Sequence, residues 1–269
     1  MKRFFKTLRL DLHRAICSPG MILTILLMLA WMALNGNSYL FDSQWQNIMG
    51  SAEILQHVTA PESGFGALIL AIATIPYATG YLQDLESGFA RQIIARVGCH
   101  SYGLAKIIAA ALSAFLAMCV SMGIFLIAVH MAGWRGMFTT DNLFTGDYLG
   151  LQPAWHFYLI RFLHMGLYCS MAAVLSMAVS AYIPNGYVVL LAPMVLLYYF
   201  WNTLIVIFSL DIPLIPSWIV SPLSIRLNIS GKIFPHPYFS AAWTVVFFLT
   251  ITVLCGFFFM KKIKKEQNI

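Results

Sequence analysis

Charge is what this chain has least of. Asp, Glu, Lys and Arg together make up 10% of its 269 residues, where ordinary globular domains carry roughly 25%. A soluble fold of this length has no place to hide so much apolar sequence, which amounts to 60% of the residues. Short alternating segments of about ten residues, the mark of a membrane β-barrel, are missing, as is any repeat of roughly 20–50 residues. The chain has no Gly-x-x-x-x-Gly-Lys-Ser/Thr phosphate loop, no Gly-x-Ser-x-Gly, no His-Glu-x-x-His and no paired acids inside an apolar run. The common marks of a nucleotidase, a serine hydrolase and a zinc protease are therefore lacking. His57, His130, His156 and His236 follow no ligand spacing, and no metal is expected.

What the chain has instead is apolar runs of about 20 residues, the length a helix needs to cross a hydrocarbon core roughly 30 Å thick. Helices satisfy their own backbone groups, which lipid cannot do. The fold class that follows is an all-α polytopic membrane protein, a single domain over 20–260 with six transmembrane helices. The spans fall at about 20–40, 65–82, 104–132, 157–183, 187–210 and 241–260. Pro76 and Gly80 predict a kink in the second. Residues 1–19 mix Lys2, Arg3, Lys6, Arg9 and Arg14 with Phe4, Phe5, Leu8, Leu10 and Ile16, which suits an interfacial amphipathic helix lying among lipid headgroups. Residues 261–269 form a basic tail opened by Lys261, Lys262, Lys264 and Lys265. The stretch 211–240 is rich in proline yet keeps Ile215, Trp218, Ile219, Val220 and Leu223, and reads as short re-entrant helices between spans five and six.

Basic residues near span ends stay in the cytoplasm. With both termini inside, twelve of the sixteen lysines and arginines are cytoplasmic and only Arg135, Arg161, Arg226 and Lys232 lie outside. This predicts a multi-pass protein of the cell membrane, with N- and C-termini cytoplasmic; the compact architecture suggests a bacterial source. The formal charge of +6 is accounted for by these flanks, and no nucleic-acid partner is expected. Cys17 and Cys99 fall on the cytoplasmic side and Cys119, Cys169 and Cys255 inside spans, so no disulfide framework is expected. All ten acids lie in predicted loops or tails, which argues against an ion-coupled carrier.

The one sizeable cytoplasmic loop, between spans two and three, holds an amphipathic segment. At about 100° per residue, Phe89, Ala90, Ile93, Ile94 and Val97 share an arc, with Arg91, Gln92 and Arg96 opposite. Asp84 and Glu86 stand at its N-terminal end, where a helix dipole favours acids, and Gly98 is a stop signal. Such a helix either rests on lipid or docks into a cytoplasmic partner. The order Glu86-Ser87-Gly88, then Arg91, Ile93-Ile94, Arg96, Tyr102 and Lys106 resembles the loop between spans two and three of type-2 ABC transporter permeases, the six-span membrane subunits of ABC exporters. The layout of interfacial helix, six spans, re-entrant segment and basic tail is similar too. The chain departs from many members after this segment, where Val97-Gly98-Cys99-His100-Ser101 replaces a Pro or Val followed by Ser-Arg.

The resemblance implies that Glu86, Gly88, Phe89, Arg91, Ile93, Ile94, Arg96 and Val97 form a coupling helix seated in a separate ABC ATP-binding subunit. It further implies ATP and Mg on that partner and no cofactor in this chain, which is then not itself an enzyme. A homodimer, or a heterodimer with a similar permease, would work by alternating access, with spans two and five lining the route. Candidate pathway residues are Thr74 and Tyr77 in span two and Tyr198, Tyr199, Trp201, Asn202 and Thr203 in span five. They offer aromatic faces and hydrogen-bonding groups to an amphipathic substrate, a drug, peptide or lipid. The plainer reading of each is helix packing or an interfacial aromatic. Arg161, His164 and Tyr168 share one face of span four, where Arg161 is placed to snorkel toward headgroups; Asp141, Asp147 and Asp211 are its candidate partners. Two other function classes stay open: an ATP-independent channel, carrier or scaffold, and an intramembrane enzyme.

Overall fold

A computed structural model describes residues 2–40, 50–59, 67–132, 155–200 and 237–267. Its elements are all helical: α1 Lys2–Ile16, α2 Pro19–Leu40, α3 Ser51–Val58, α4 Leu68–Ile72, α5 Gly80–Glu86, α6 Phe89–Val97, α7 Cys99–Met131, α8 Trp155–Ser180, α9 Gly186–Pro193 and α10 Pro237–Gln267. A π-helical turn, Met194–Phe200, continues α9. Among the described residues there is no strand, and four helices, within α2, α7, α8 and α10, are long and apolar enough to cross a membrane. These are the dimensions of a membrane protein.

The bundle is built on α7 and α8, which pack along each other, with α10 against both of them and α1 and α2 against α7. Small residues make that closeness possible. The inward face of α7 carries Ala105, Ala109, Ala110, Ser113, Ala114, Ala117 and Ser121, all buried, the spacing that lets membrane helices approach. Gly166 of α8 lies under the ring of Phe115; a Cβ there would come within 2.6 Å of it. Ser170 of α8 donates its hydroxyl across the interface to Ala111 O at 2.8 Å. At 33 residues, α7 is about 50 Å long, some 20 Å more than the hydrocarbon core. That is more than an upright crossing needs.

The segment read as the second span is more than kinked. It runs as α4, a succession of turns over 73–79, then α5. Pro76 has no N–H to offer a helix. Thr74, Tyr77 and Ala78 in the break are buried. A second proline shows how such a break is repaired. Pro193 leaves Val189 O without its helical donor, and Ser176 of the neighbouring α8 donates its hydroxyl to that carbonyl instead.

Asn185 begins α9 by accepting from the backbone N–H of Tyr187 and Val188 at 3.0 and 3.4 Å, a capping geometry. At the last helix, α10 starts at Pro237 and stays helical through the lysines of the tail to Gln267. Most of the re-entrant segment expected over 211–240 and the later part of span five lie outside the described residues.

Candidate functional site: a buried charge cluster beside α6

Four segments converge where α7 begins. Asp11 and Arg14 come from α1, Tyr77 from the broken turn, Asp84 from α5, and Tyr102 and Lys106 from the first two turns of α7. Lys106 is at the centre, its side chain 1% exposed. Its Nζ lies 2.8 Å from Asp84 Oδ2 and 3.2 Å from Asp11 Oδ1, donates to Tyr77 OH at 2.8 Å, and sits over the Tyr77 ring at 4.9 Å. The Tyr77 hydroxyl donates a hydrogen bond to Asp11 Oδ1, and Tyr102 donates to Asp84 Oδ2 at 2.9 Å. Arg14, largely exposed, reaches Asp84 Oδ1 at 3.6 Å. Two acids and two bases make the cluster neutral, and each tyrosine gives one carboxylate a hydrogen bond, though Asp11 Oδ2 is buried without one.

The cluster ties the end of α5, and so the start of α6, to α1 and α7. Two glycines isolate α6. Gly88, φ 72°, separates it from α5, and Gly98, φ 87° with ψ 145°, ends it and begins α7. Positive φ is readily adopted by glycine alone. The acids expected at the start of α6 belong to α5: Glu86 is its last residue and exposed, and Asp84 is held in the cluster. No acid stands in the first turn of α6, and Gly88 provides no side-chain cap.

Ala90 and Ile94 of α6 are buried, and Ile93 and Val97 half-buried, against the bundle. Arg91, Gln92 and Arg96 face outward. Phe89 sits at the edge of the apolar arc and is 55% exposed, where the 100° step places it. With Leu85 it leaves an apolar spot beside Glu86 on the outside of the molecule.

The candidate pathway residues divide. Thr74 is buried and turns its hydroxyl back to Ala71 O at 2.7 Å. Tyr77 belongs to the charge cluster. A cleft of about 500 Å³ opens beside it, walled by Arg14, Gly20, Pro76, Gln83, Asp84 and Lys106 among others, but not by Tyr198 or Tyr199. Tyr198 is half-buried and Tyr199 exposed, their rings edge to face at 5.3 Å. Trp201, Asn202 and Thr203 lie outside the described residues.

On α8, Arg161, His164 and Tyr168 are all buried. Arg161 does not snorkel. Its Nε and Nη2 donate to Thr59 Oγ1 at 2.8 and 2.6 Å, and Nη2 also to Gln56 O at 3.3 Å, so α3 supplies the oxygens that headgroups were expected to provide. Asp141, Asp147 and Asp211 lie outside the described residues. His164 Nε2 is 3.1 Å from Ala241 O, and Tyr168 packs on Phe248 with ring centres 5.7 Å apart; both bind α8 to α10.

Asp11 is the member sequence reasoning passed over. It is the single acid in a segment of five bases, flanked by Leu10 and Leu12, and a lone acid on the apolar side of a basic helix is a signal that it has a buried cation to meet. Comparison with family models, with curated proteins and with solved structures finds no match for the chain.

Proposed function

We propose that this chain is the membrane subunit of an ABC exporter, with α6 as the coupling helix that a separate ATP-binding subunit moves. The observation that carries the reading is the form of α6. It is a short helix bounded by two positive-φ glycines, its inner face packed on the bundle and its outer side presenting Phe89 beside Glu86. Aromatic side chains, Phe among them, are enriched at protein interfaces relative to the rest of the surface. The cluster of Asp11, Tyr77, Asp84, Tyr102 and Lys106 supports the same reading, because it would pass a push on α6 to α1 and α7 as rigid-body motion rather than absorb it.

In this reading the chain crosses the cell membrane six times with both termini in the cytoplasm. It pairs with a second copy or a similar permease and moves an amphipathic substrate by alternating access. ATP and Mg are bound and consumed on the partner, and spans two and five line the route. The test is to tag the chain, extract it from the membranes of its source cells, and measure ATP hydrolysis and subunit composition of the eluate. An ATPase is expected to co-elute with the parent chain and to be lost with Glu86→Lys or Phe89→Asp. Unchanged assembly of both variants, or an eluate with no ATPase, refutes the proposal.

A further inference from the structure

A second cleft, of about 690 Å³, lies between α1 and α6. Arg3, Lys6, Arg14 and Arg96 line it, with Asp11 as the one acid on its wall. That acid is already engaged by Lys106 and Tyr77, and Arg14 leans on Asp84. Among the described residues, Arg3, Lys6 and Arg96 meet no carboxylate within ion-pair distance. Arg3 Nη1 instead donates to the backbone carbonyl of Arg96 at 3.2 Å, which holds the cations of the two helices in one place. Like charges gathered this way repel, and a tetrahedral oxyanion that accepts hydrogen bonds from several of them at once relieves the repulsion.

Phosphate could be supplied free or as a lipid head, and the surroundings select the lipid. The cleft runs along α1 between Arg3 and Arg14, and α1 leads within two residues of its end into the apolar helix α2. Its wall includes Leu10, which is exposed and gives the basic cleft an apolar margin. A free anion has no use for that apolar margin, whereas acyl chains do. We infer that this cleft binds an anionic phospholipid, its phosphate held by Arg3, Lys6 and Arg96 and its chains leaving past Leu10. The lipid bridges α1 and α6, and the inference stands whether or not an ATPase docks on α6.

The full chain in a neutral detergent is titrated with short-chain phosphatidylglycerol, with phosphatidylcholine of equal chain length, and with inorganic phosphate. The unfolding midpoint is followed, and retained lipid is counted by native mass spectrometry. Phosphatidylglycerol is expected to raise the midpoint and to be retained, with neither effect from phosphatidylcholine or from phosphate at the same concentration. The double variant K6Q/R96Q should need roughly thirtyfold more phosphatidylglycerol. The control K264Q/K265Q, which removes the same charge from the end of α10, should bind as the parent does. Equal binding of the zwitterionic lipid, an unaltered K6Q/R96Q, or a control that loses as much would overturn the inference; saturation by phosphate alone would assign the cleft to the free anion and overturn the lipid. Both substituted side chains are exposed; should the pair nonetheless fail to fold, K6Q alone, expected to weaken binding roughly fivefold, decides the matter.

Discussion

Replacing Lys106 by methionine keeps the length of the side chain and removes its charge, leaving Asp11 and Asp84 facing each other across the space it filled. With contacts of 2.8 and 3.2 Å and an effective dielectric of about 20, each ion pair is worth roughly 5–6 kcal/mol before solvation is counted. Burial of the three charges cancels most of this. What remains on cutting one partner out of a buried pair is about 3–5 kcal/mol, because the charge left behind is uncompensated. For a chain of this size that corresponds to a fall on the order of 10 °C in the unfolding midpoint, measurable in detergent by tryptophan fluorescence. Trypsin should also cut faster after Arg9 and Arg14, since α1 is anchored to α7 through Asp11. The triple variant D11N/D84N/K106M should be more stable than K106M alone, as neutral groups need no counter-ion. A K106M protein within about 1 kcal/mol of the parent, or a triple variant whose loss equals the sum of its parts, would show that the cluster is not a coupled unit.

Gly98→Ala should cost about 1–3 kcal/mol, because φ 87° with ψ 145° lies in a region open to little but glycine; nothing stands within 4 Å of the added Cβ, so a comparable loss at a glycine of ordinary φ in equally open space, such as Gly123→Ala, would contradict the backbone explanation. Gly166→Ile should destabilise by about 1–3 kcal/mol or more through the Phe115 ring, and the double variant with Phe115→Ala should recover part of the loss; no recovery would place the strain elsewhere.

The helices α2, α7, α8 and α10 were legible because each is a long apolar run, and length and hydropathy are local properties. What the sequence could not disclose were contacts made across distance. Asp11, one acid among five bases, draws no notice until Tyr77, 66 residues away, is beside it. Arg161 reads as a snorkelling cation until Thr59, 102 residues away, takes its hydrogen bonds. Pro76 and Gly80 announced a disturbance but not its extent, since whether a break is tolerated depends on what buries it. Phe89 sits at the margin of its helical face, where a small rotation decides between core and solvent, and periodicity alone does not resolve which side it takes. Glu86 kept its exposed position at the edge of α6 but belongs to the preceding helix, because Gly88 inserts a left-handed residue that no count at 100° per step allows for.

Gly98 is at once the last boundary of α6 and the first of α7. A connection of several residues would have a dozen soft torsions in which to lose a displacement. Here the orientation of one helix relative to the other is set by a single φ and a single ψ, as in a two-axis mechanical joint. Whatever touches α6, a protein or a lipid, can turn it only about those two axes, and any motion they do not permit must appear as movement of α7, the longest helix described.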